Sequence, residues 1–269
     1  MEKGISTKRQ PAIVDDDILS DGYLISMITL PKQEPIIENG TKADDLYSKA
    51  MNYLAEGNTG RGLHYLKQAY KLGDWTAGNT LAYGYSAGWF GFRNYKAFIT
   101  IVKELAKKGH PGAMVNYAFA YQWGIGVKKS ARWSRHWLLK AVDAGSMIAK
   151  SNLGIEYLFG KPSQRDEEEG ARLCFEAAVH GQEIAMDAMG MCYEDGIVVT
   201  KNLKKAFKWY SLAVENGAGA MAEKNLARCY RKGIGIEVDM NKARKLMKAA
   251  LEHGYQPKDL EKTKKLYGL

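Results

Sequence analysis

Cysteine is scarce in this sequence. Among 269 residues there are three, at Cys174, Cys192 and Cys229. Their number and irregular spacing exclude both a disulfide framework and the paired CxxC ligands of a structural zinc site. A reducing compartment is therefore the expected environment.

Long apolar runs are also missing. The longest one near the N-terminus, from Tyr23 to Leu30, is much shorter than the roughly 20 residues that span a bilayer. The first ten residues, MEKGISTKRQ, carry mixed charge and lead into Asp15, Asp16 and Asp17 rather than into the apolar stretch of a secretory signal. We expect a soluble, cytoplasmic protein that has no contact with a membrane.

Patterns typical of catalysis are lacking as well. The five histidines do not have the spacing of a metal-ligand set or a catalytic set. The Gly-Ile-Gly sequences that begin at Gly124 and Gly233 lack the third glycine of a dinucleotide fingerprint, and each follows a predicted helix rather than a strand. The sequence thus predicts a protein that is not an enzyme, with no catalytic residues, no metal, no cofactor and no small-molecule substrate.

Charge of one sign is in excess. The formal net charge is +9, but residues 1–40 hold four basic and seven acidic groups, a net of −3. The segment from Lys224 to the end holds twelve basic and five acidic residues, a net of +7. This asymmetry keeps the alternative of nucleic-acid or polyanion binding through the basic C-terminal repeats open, although a solvated surface explains it equally simply.

What the sequence does contain is a repeat. Glycines recur at intervals of 36 or 37 residues, at Gly73, Gly109, Gly145, Gly181, Gly217 and Gly254. An alanine follows shortly after each of the first five, and a tyrosine stands eight residues after each alanine. A period of this length is the sequence signature of a repeat architecture.

Each repeat has the signals of two helices. Fifteen residues before each of these glycines stands a short polar residue that can accept a hydrogen bond at a helix N-terminus, namely Asn58, Asn94, Ser130, Asp166, Asn202 and Asp239. The glycines are suited to end the same helices, because they tolerate a left-handed backbone. A single helix pair cannot bury both faces, so we predict an all-α fold, a solenoid of about six helix-turn-helix repeats of 36 residues.

The repeated residues bear a family resemblance. The pattern AxxxLGxxYxxGxGV, followed by KAxxWYxxA and a closing glycine, resembles the Sel1-like repeat, a relative of the tetratricopeptide repeat. It is clearest from Ala185 to Val199 and from Leu226 to Gly235. The resemblance implies a right-handed superhelix with the first helix of each repeat on the concave side, and it implies a non-enzymatic scaffold that binds a protein or peptide. It is compatible with bacterial regulatory, host-interaction and effector-immunity roles.

Three regions are predicted from these patterns. Residues 1–40 form an irregular N-terminal arm interrupted by Pro11, Pro31 and Pro35, because proline breaks helices. Residues 41–256 hold six repeats. Residues 257–269 form a lysine-rich capping helix.

We predict the partner-binding site on the first helices, in the positions three to ten residues after each alanine. Asparagine stands at the first of these positions in three repeats and aromatic residues at the last in two, namely Asn116, Asn152 and Asn225, then Trp123 and Phe159. Such a ladder can exchange hydrogen bonds with an extended peptide. If this face instead packs against the next repeat, binding is expected in the loop that holds Trp89 and Phe90. The occupant can also be the chain's own segment from Gly22 to Ile37.

Overall fold

The computed structural model describes residues 41–162 and 165–269, and the predicted N-terminal arm lies outside them. In the described part, thirteen helices follow one another without a β-strand. They are α1 (Lys42–Ala55), α2 (Thr59–Lys71), α3 (Trp75–Ala87), α4 (Tyr95–Lys107), α5 (Pro111–Trp123), α6 (Ala131–Asp143), α7 (Met147–Phe159), α8 (Glu167–Val179), α9 (Glu183–Asp195), α10 (Leu203–Glu215), α11 (Ala220–Lys232), α12 (Met240–Glu252) and α13 (Leu260–Tyr267). The predicted all-α repeat fold is confirmed.

The predicted caps begin the second helix of each repeat. Asn58, Asn94, Ser130, Asp166, Asn202 and Asp239 each precede an even-numbered helix from α2 to α12, and each side chain accepts a hydrogen bond from the backbone N–H three residues later. These bonds satisfy backbone donors that a helix cannot pair by itself. The short polar residues therefore set where the second helices start.

The predicted glycines end those helices. Gly73, Gly109, Gly145, Gly181, Gly217 and Gly254 follow them with φ between 82° and 99°, a region that residues with a Cβ rarely adopt. A second set, Gly88, Gly124, Gly196 and Gly233, caps first helices in the left-handed conformation. Chain reversal after both helices of a repeat thus depends on glycine.

In one repeat, a residue other than glycine adopts the left-handed backbone conformation in the loop after the first helix. Val198 has φ of 64°, and it stands two residues after the helix-ending Gly196, where two other repeats have Gly126 and Gly235. The left-handed region costs a residue with a Cβ about 1–2 kcal/mol. The side chain of Val198 packs against the core of residues 158–229, which offsets part of that strain.

Contacts divide the described residues into two compact units, one ending at Ala149 and the other running from Lys150 to Leu269. In the first unit, Leu66, Val102 and Leu105 are fully buried against alanines such as Ala77. In the second unit, fully buried Leu173, Met189 and Tyr210 occupy the centre. Each unit therefore has a hydrophobic core of its own.

Small residues let the helices of each pair approach closely. A Cβ added at Gly190 in α9 would come within 2.5 Å of the ring of Tyr210 in α10. Because Gly190 has no side chain, the tyrosine ring lies directly on the α9 backbone. The same reasoning applies to the alanines at 0% exposure in the second helices, such as Ala141, Ala177 and Ala213.

Candidate protein-binding surface

The first helices α3, α5, α7, α9 and α11 share one register. The alanine of each, at Ala77, Ala113, Ala149, Ala185 and Ala222, is 0–1% exposed. Residues three, six and ten positions after it fall along one side of the helix at about 100° per residue. The sequence predicts partner binding on this side of the first helices.

In the unit that ends at Ala149, this side carries exposed aromatic rings. Tyr83 and Phe119, six residues after the alanines of α3 and α5, are 48% and 50% exposed, and Trp123 is 59% exposed. Trp89, from the loop after α3, is 42% exposed and meets Tyr83 edge-on with ring centroids 5.0 Å apart. Phe119 and Trp123 are 6.0 Å apart. We call these four residues the aromatic patch.

Hydrogen bonds between first helices hold the patch in place. Asn116 of α5 donates from Nδ2 to Oδ1 of Asn79 in α3, at 2.8 Å. The hydroxyl groups of Tyr47 in α1 and Thr80 in α3 lie 3.3 Å apart. Asn116, predicted to contact a partner, is therefore engaged with the neighbouring repeat, and its side chain joins two helices of the patch.

The two loop aromatics predicted as an alternative site have different environments. Trp89 is exposed and belongs to the aromatic patch, whereas Phe90 is 9% exposed. The ring of Phe90 meets Tyr85 edge-on at 5.4 Å and covers Gly84, where an added Cβ would come within 2.5 Å of it. Phe90 is thus a core residue, because Gly84 leaves a space that its ring fills.

In the unit from Lys150 to Leu269, the corresponding positions are less exposed. Ile155, Phe159 and Met191 are partly buried against the core of that unit. Asn152 is partly buried as well. Asn225 is 4% exposed, so it cannot serve as an open contact for a peptide backbone. Of the predicted residues, Trp123 and Trp89 are the ones that the structure exposes most.

Asn225 takes part in a buried polar pair that resembles the one in the first unit. It donates from Nδ2 to the two carboxylate oxygens of Asp187 in α9, at 2.9 and 3.0 Å. In both pairs, the donor stands three residues after its alanine and the acceptor two residues after the alanine of the preceding first helix. Burial raises the pKa of the Asp187 carboxyl, against the opposing effect of the Asn225 hydrogen bonds.

A charged group lies next to this pair. The guanidinium of Arg228 in α11 binds both carboxylate oxygens of Glu194 in α9, and Tyr210 donates its hydroxyl to the same carboxylate at 2.8 Å. Burial alone would raise the pKa of Glu194, but the hydrogen bonds from Arg228 and Tyr210 outweigh it and lower that pKa. Arg228 therefore joins two repeats, although its position is equivalent to that of Phe119.

The equivalent positions of α7 and α9 do not form a hydrogen-bonded pair of side chains. Ser151 stands at the acceptor position and Ala188 at the donor position. The hydroxyl of Ser151, 2% exposed, has no hydrogen-bond partner, because the methyl group of Ala188 cannot donate. The sequence analysis missed these pairs, but the signal was available, since the polar residues recur in register with the alanines.

The cysteines have the environment of packing residues. Cys174, Cys192 and Cys229 are free thiols and fully buried. Burial raises the pKa of Cys192 and of Cys229 to about 12, so thiolate is scarce at neutral pH. Across residues 41–162 and 165–269, no three His, Cys, Asp or Glu side chains are grouped in a way that could hold a metal ion.

Within the part of the chain that the structure describes, no helix combines the length and the apolar character needed to cross a bilayer.

Comparison with protein families identifies the Sel1 repeat in this chain. The model of the Sel1 repeat matches residues 46–74, 111–146, 148–180, 184–217 and 220–255, which together make up more than half of the chain. The stretch from Trp75 to His110 falls between matched ranges, although α3 and α4 form the same kind of helix pair there. The resemblance inferred from the repeated residues is confirmed.

Individual relatives agree with this match. A crystal structure of a Sel1 repeat protein from Oxalobacter formigenes is 25% identical, with a TM-score of 0.65 over 78% of this chain and 85% of that one. The immunity protein PA5088 from Pseudomonas aeruginosa is similar in fold, with 21% identity, a TM-score of 0.60, and coverage of 86% and 89%. Rat DAP3-binding cell death enhancer 1 is 34% identical over 80 residues, which are 30% of this chain and 15% of that protein. The chain thus matches a small part of this curated relative.

Proposed function

The chain belongs to the Sel1 repeat family, and from this premise we propose that it is a non-enzymatic scaffold whose aromatic patch binds a partner polypeptide. Sel1 repeats generally mediate protein–protein interaction, and α-helical repeat arrays offer extended surfaces for this purpose. The rat relative is, by its name, a protein that binds another protein. This likeness supports a polypeptide as the partner.

The observation that carries the proposal is the exposure of the aromatic patch. Tyr83, Trp89, Phe119 and Trp123 each leave 42–59% of their surface open to solvent. The rings form two pairs, Tyr83 with Trp89 and Phe119 with Trp123. Exposed apolar surface of this kind marks interaction sites, and tryptophan and tyrosine are enriched among the residues that dominate binding energy. The Asn79–Asn116 bond fixes the supporting helices, so binding requires little further ordering of the protein.

The family supports an expectation about which side of the molecule binds the partner. In Sel1-like repeats the first helices are expected on the concave side, and the aromatic patch lies on the first helices α3 and α5 and the loop after α3. Our proposal therefore assigns the partner to that side. The biological role, whether regulatory, host-interacting or as an immunity protein, depends on who the partner is.

In the test, the tagged full-length chain is used to capture partners, and affinity is measured for each partner that it captures. Changing both Phe119→Ala and Trp123→Ala should weaken affinity for that partner by at least about 30-fold, the effect of losing about 2 kcal/mol from a single central aromatic residue. Isothermal titration calorimetry gives the affinity, and thermal melting should change little because both rings are exposed.

The matched control is Trp75→Ala. Trp75 is 41% exposed on α3 but lies outside the patch, so its loss should leave affinity unchanged. Equal loss of affinity for Trp75→Ala, or full affinity for the double variant, would show that the patch is not the binding site.

Nucleic-acid binding through the C-terminal repeats has less support. Several cations there are already engaged: Arg228 binds Glu194, Arg231 lies over the ring of Tyr267 at 5.4 Å, and Lys242 lies over Tyr230 at 5.1 Å. These contacts leave fewer cations for a phosphate backbone. A salt titration with single-stranded and duplex oligonucleotides decides this alternative, because phosphate contacts make affinity fall steeply with salt.

A further inference from the structure

One stretch of the chain contains no carboxylate. From Gly109 to Val142 there is neither aspartate nor glutamate, and the nearest ones are Glu104 and Asp143. The same 34 residues contain five basic side chains, at Lys128, Lys129, Arg132, Arg135 and Lys140. This stretch covers α5 and α6 and therefore carries a net positive formal charge.

Much of this charge is exposed together with apolar groups. Lys128 and Lys129, in the loop before α6, are exposed, and so are Arg132, His136 and Lys140 on α6. Among them stand Trp133 at 49% exposure and Leu139 at 40%. The Trp133 ring is nearly parallel to that of Tyr121, with centroids 6.1 Å apart. We call Lys128, Lys129, Arg132, Trp133 and Leu139 the basic face.

The chain itself contains a segment of complementary composition. Residues 10–31 hold Asp15, Asp16, Asp17 and Asp21 but no lysine or arginine. The acidic residues are followed by the apolar stretch from Tyr23 to Leu30. Acidic groups followed by apolar ones complement the basic face, which combines exposed lysines and an arginine with an exposed tryptophan and leucine.

We propose that residues 15–30 of this chain bind to the basic face within the same molecule. Because Thr41 begins the first described repeat, the segment is covalently tied to the unit that carries the basic face. Residues 31–41 can span about 36 Å when extended, and a compact unit of this size has a radius of gyration of about 14 Å. The tether gives the segment a local concentration of about millimolar, so even a weak contact is populated.

This inference concerns a segment of the chain itself and not the proposed partner, although the two surfaces adjoin where the amine of Lys129 lies 5.9 Å from the centroid of the Trp123 ring. It predicts that carboxylates of residues 15–21 lie next to the amines of Lys128 and Lys129. A zero-length carbodiimide reagent joins a carboxylate and an amine that are in contact. Full-length protein treated in this way should yield cross-linked monomers in which Asp15, Asp16, Asp17 or Asp21 is joined to Lys128 or Lys129, and 0.5–1 M salt should abolish them by screening.

Protease sensitivity gives a second measurement on the full chain. Chymotrypsin cleaves after Tyr23 and Leu24, and a bound segment is protected from it. Changing Lys128→Glu together with Lys129→Glu should increase the cleavage rate there by about tenfold or more, and Trp133→Ala should increase it by a smaller factor. Thermal melting of each variant checks that the repeats remain folded.

Matched variants elsewhere in the unit separate a specific contact from general charge attraction. Lys103→Glu with Lys107→Glu makes the same change of charge at exposed positions of α4, and Trp75→Ala removes another exposed tryptophan. Both should leave cleavage at the wild-type rate. The proposal is overturned if these controls act as strongly as the basic-face variants, if the cross-links reach other lysines but not Lys128 or Lys129, or if they join two copies of the chain instead of one.

Discussion

At the scale of single residues, two polar pairs between first helices differ by one atom, and one of them is partly buried while the other is buried. Asn116 binds a neutral amide at Asn79, whereas Asn225 binds a carboxylate at Asp187, in the equivalent place of another repeat. Burial raises the pKa of Asp187, so the folded state favours its protonated form. The protonated carboxyl of Asp187 therefore contributes fully to stability below the ordinary carboxyl pKa near 4. This contribution is lost as pH rises through the higher pKa of Asp187 in the folded state.

We expect Asp187→Asn to raise the free energy of unfolding at pH 7. The amide keeps an acceptor for Asn225 but carries no charge that burial penalises. The gain should shrink as pH is lowered toward 4, where the wild-type carboxyl takes up its proton. Urea denaturation at several pH values measures this. Glu194→Gln is the control with the opposite sign, because the pKa of Glu194 is lowered in the fold and its carboxylate stabilises the protein at neutral pH.

At the scale of helices, the residues that cap a helix could be predicted from the sequence, whereas the contacts between helices could not. The caps at Asn94 and Asn202 act on backbone groups three residues away, so their chemistry was visible in the sequence. The burial of Phe90 depends on a space over Gly84, which sequence alone does not show. Val198 adopts a backbone conformation that its residue type disfavours, because the packing around the loop outweighs local preference.

The same distinction applies to the candidate site. The register predicted which side of the first helices to inspect, and Trp123 is exposed there. Trp89, which was named as part of an alternative site in the loop after α3, is exposed as well. It could not show that Asn116 and Asn225 use their amides between repeats. Those contacts join residues 37 and 38 positions apart, and they depend on how consecutive helices pack.

The unpaired hydroxyl of α7 leads to a prediction about this helix. Ser151→Ala should raise the free energy of unfolding by about 1 kcal/mol, because it removes a buried polar group that has no partner. Ser146→Ala is the matched control at the residue that precedes the same helix: the Ser146 hydroxyl accepts from the N–H of Ala149 at 3.2 Å. Its loss should lower stability by about 1 kcal/mol. Denaturant unfolding that showed the same sign for both variants would contradict this account.

At the scale of the whole molecule, an array of repeats requires its last hydrophobic face to be covered. The short helix α13 follows the last repeat, and its Tyr267 is 4% exposed against Ala227, Ala243 and Met247. Arg244 donates to the carbonyl oxygen of Tyr267 at 3.1 Å. We therefore expect α13 to act as the C-terminal cap, as the lysine-rich end of the sequence predicted.

We expect Tyr267→Ala to destabilise the protein by about 3 kcal/mol, the range for removing a large buried aromatic side chain. Hydrogen exchange should accelerate most in α12, since repeats lose stability through their nearest neighbours. Leu266→Ala, at a 48% exposed neighbour on the same helix, should change stability by less than about 0.5 kcal/mol. Similar effects of the two variants would mean that α13 does not cover the last repeat.

The polar pairs between first helices also bear on the order of the repeats. Asp187 of α9 meets a donor because α11 follows with Asn225, and Ser151 meets none because α9 follows with Ala188. If the repeat of α11 were moved to follow α7 and the repeat of α9 were moved behind it, Asn225 would face Ser151 and Asp187 would lose its partner. A buried carboxylate without a donor is costly. The repeats share one shape, yet they are not interchangeable modules, because the buried carboxylate of Asp187 requires the donor that the following repeat supplies.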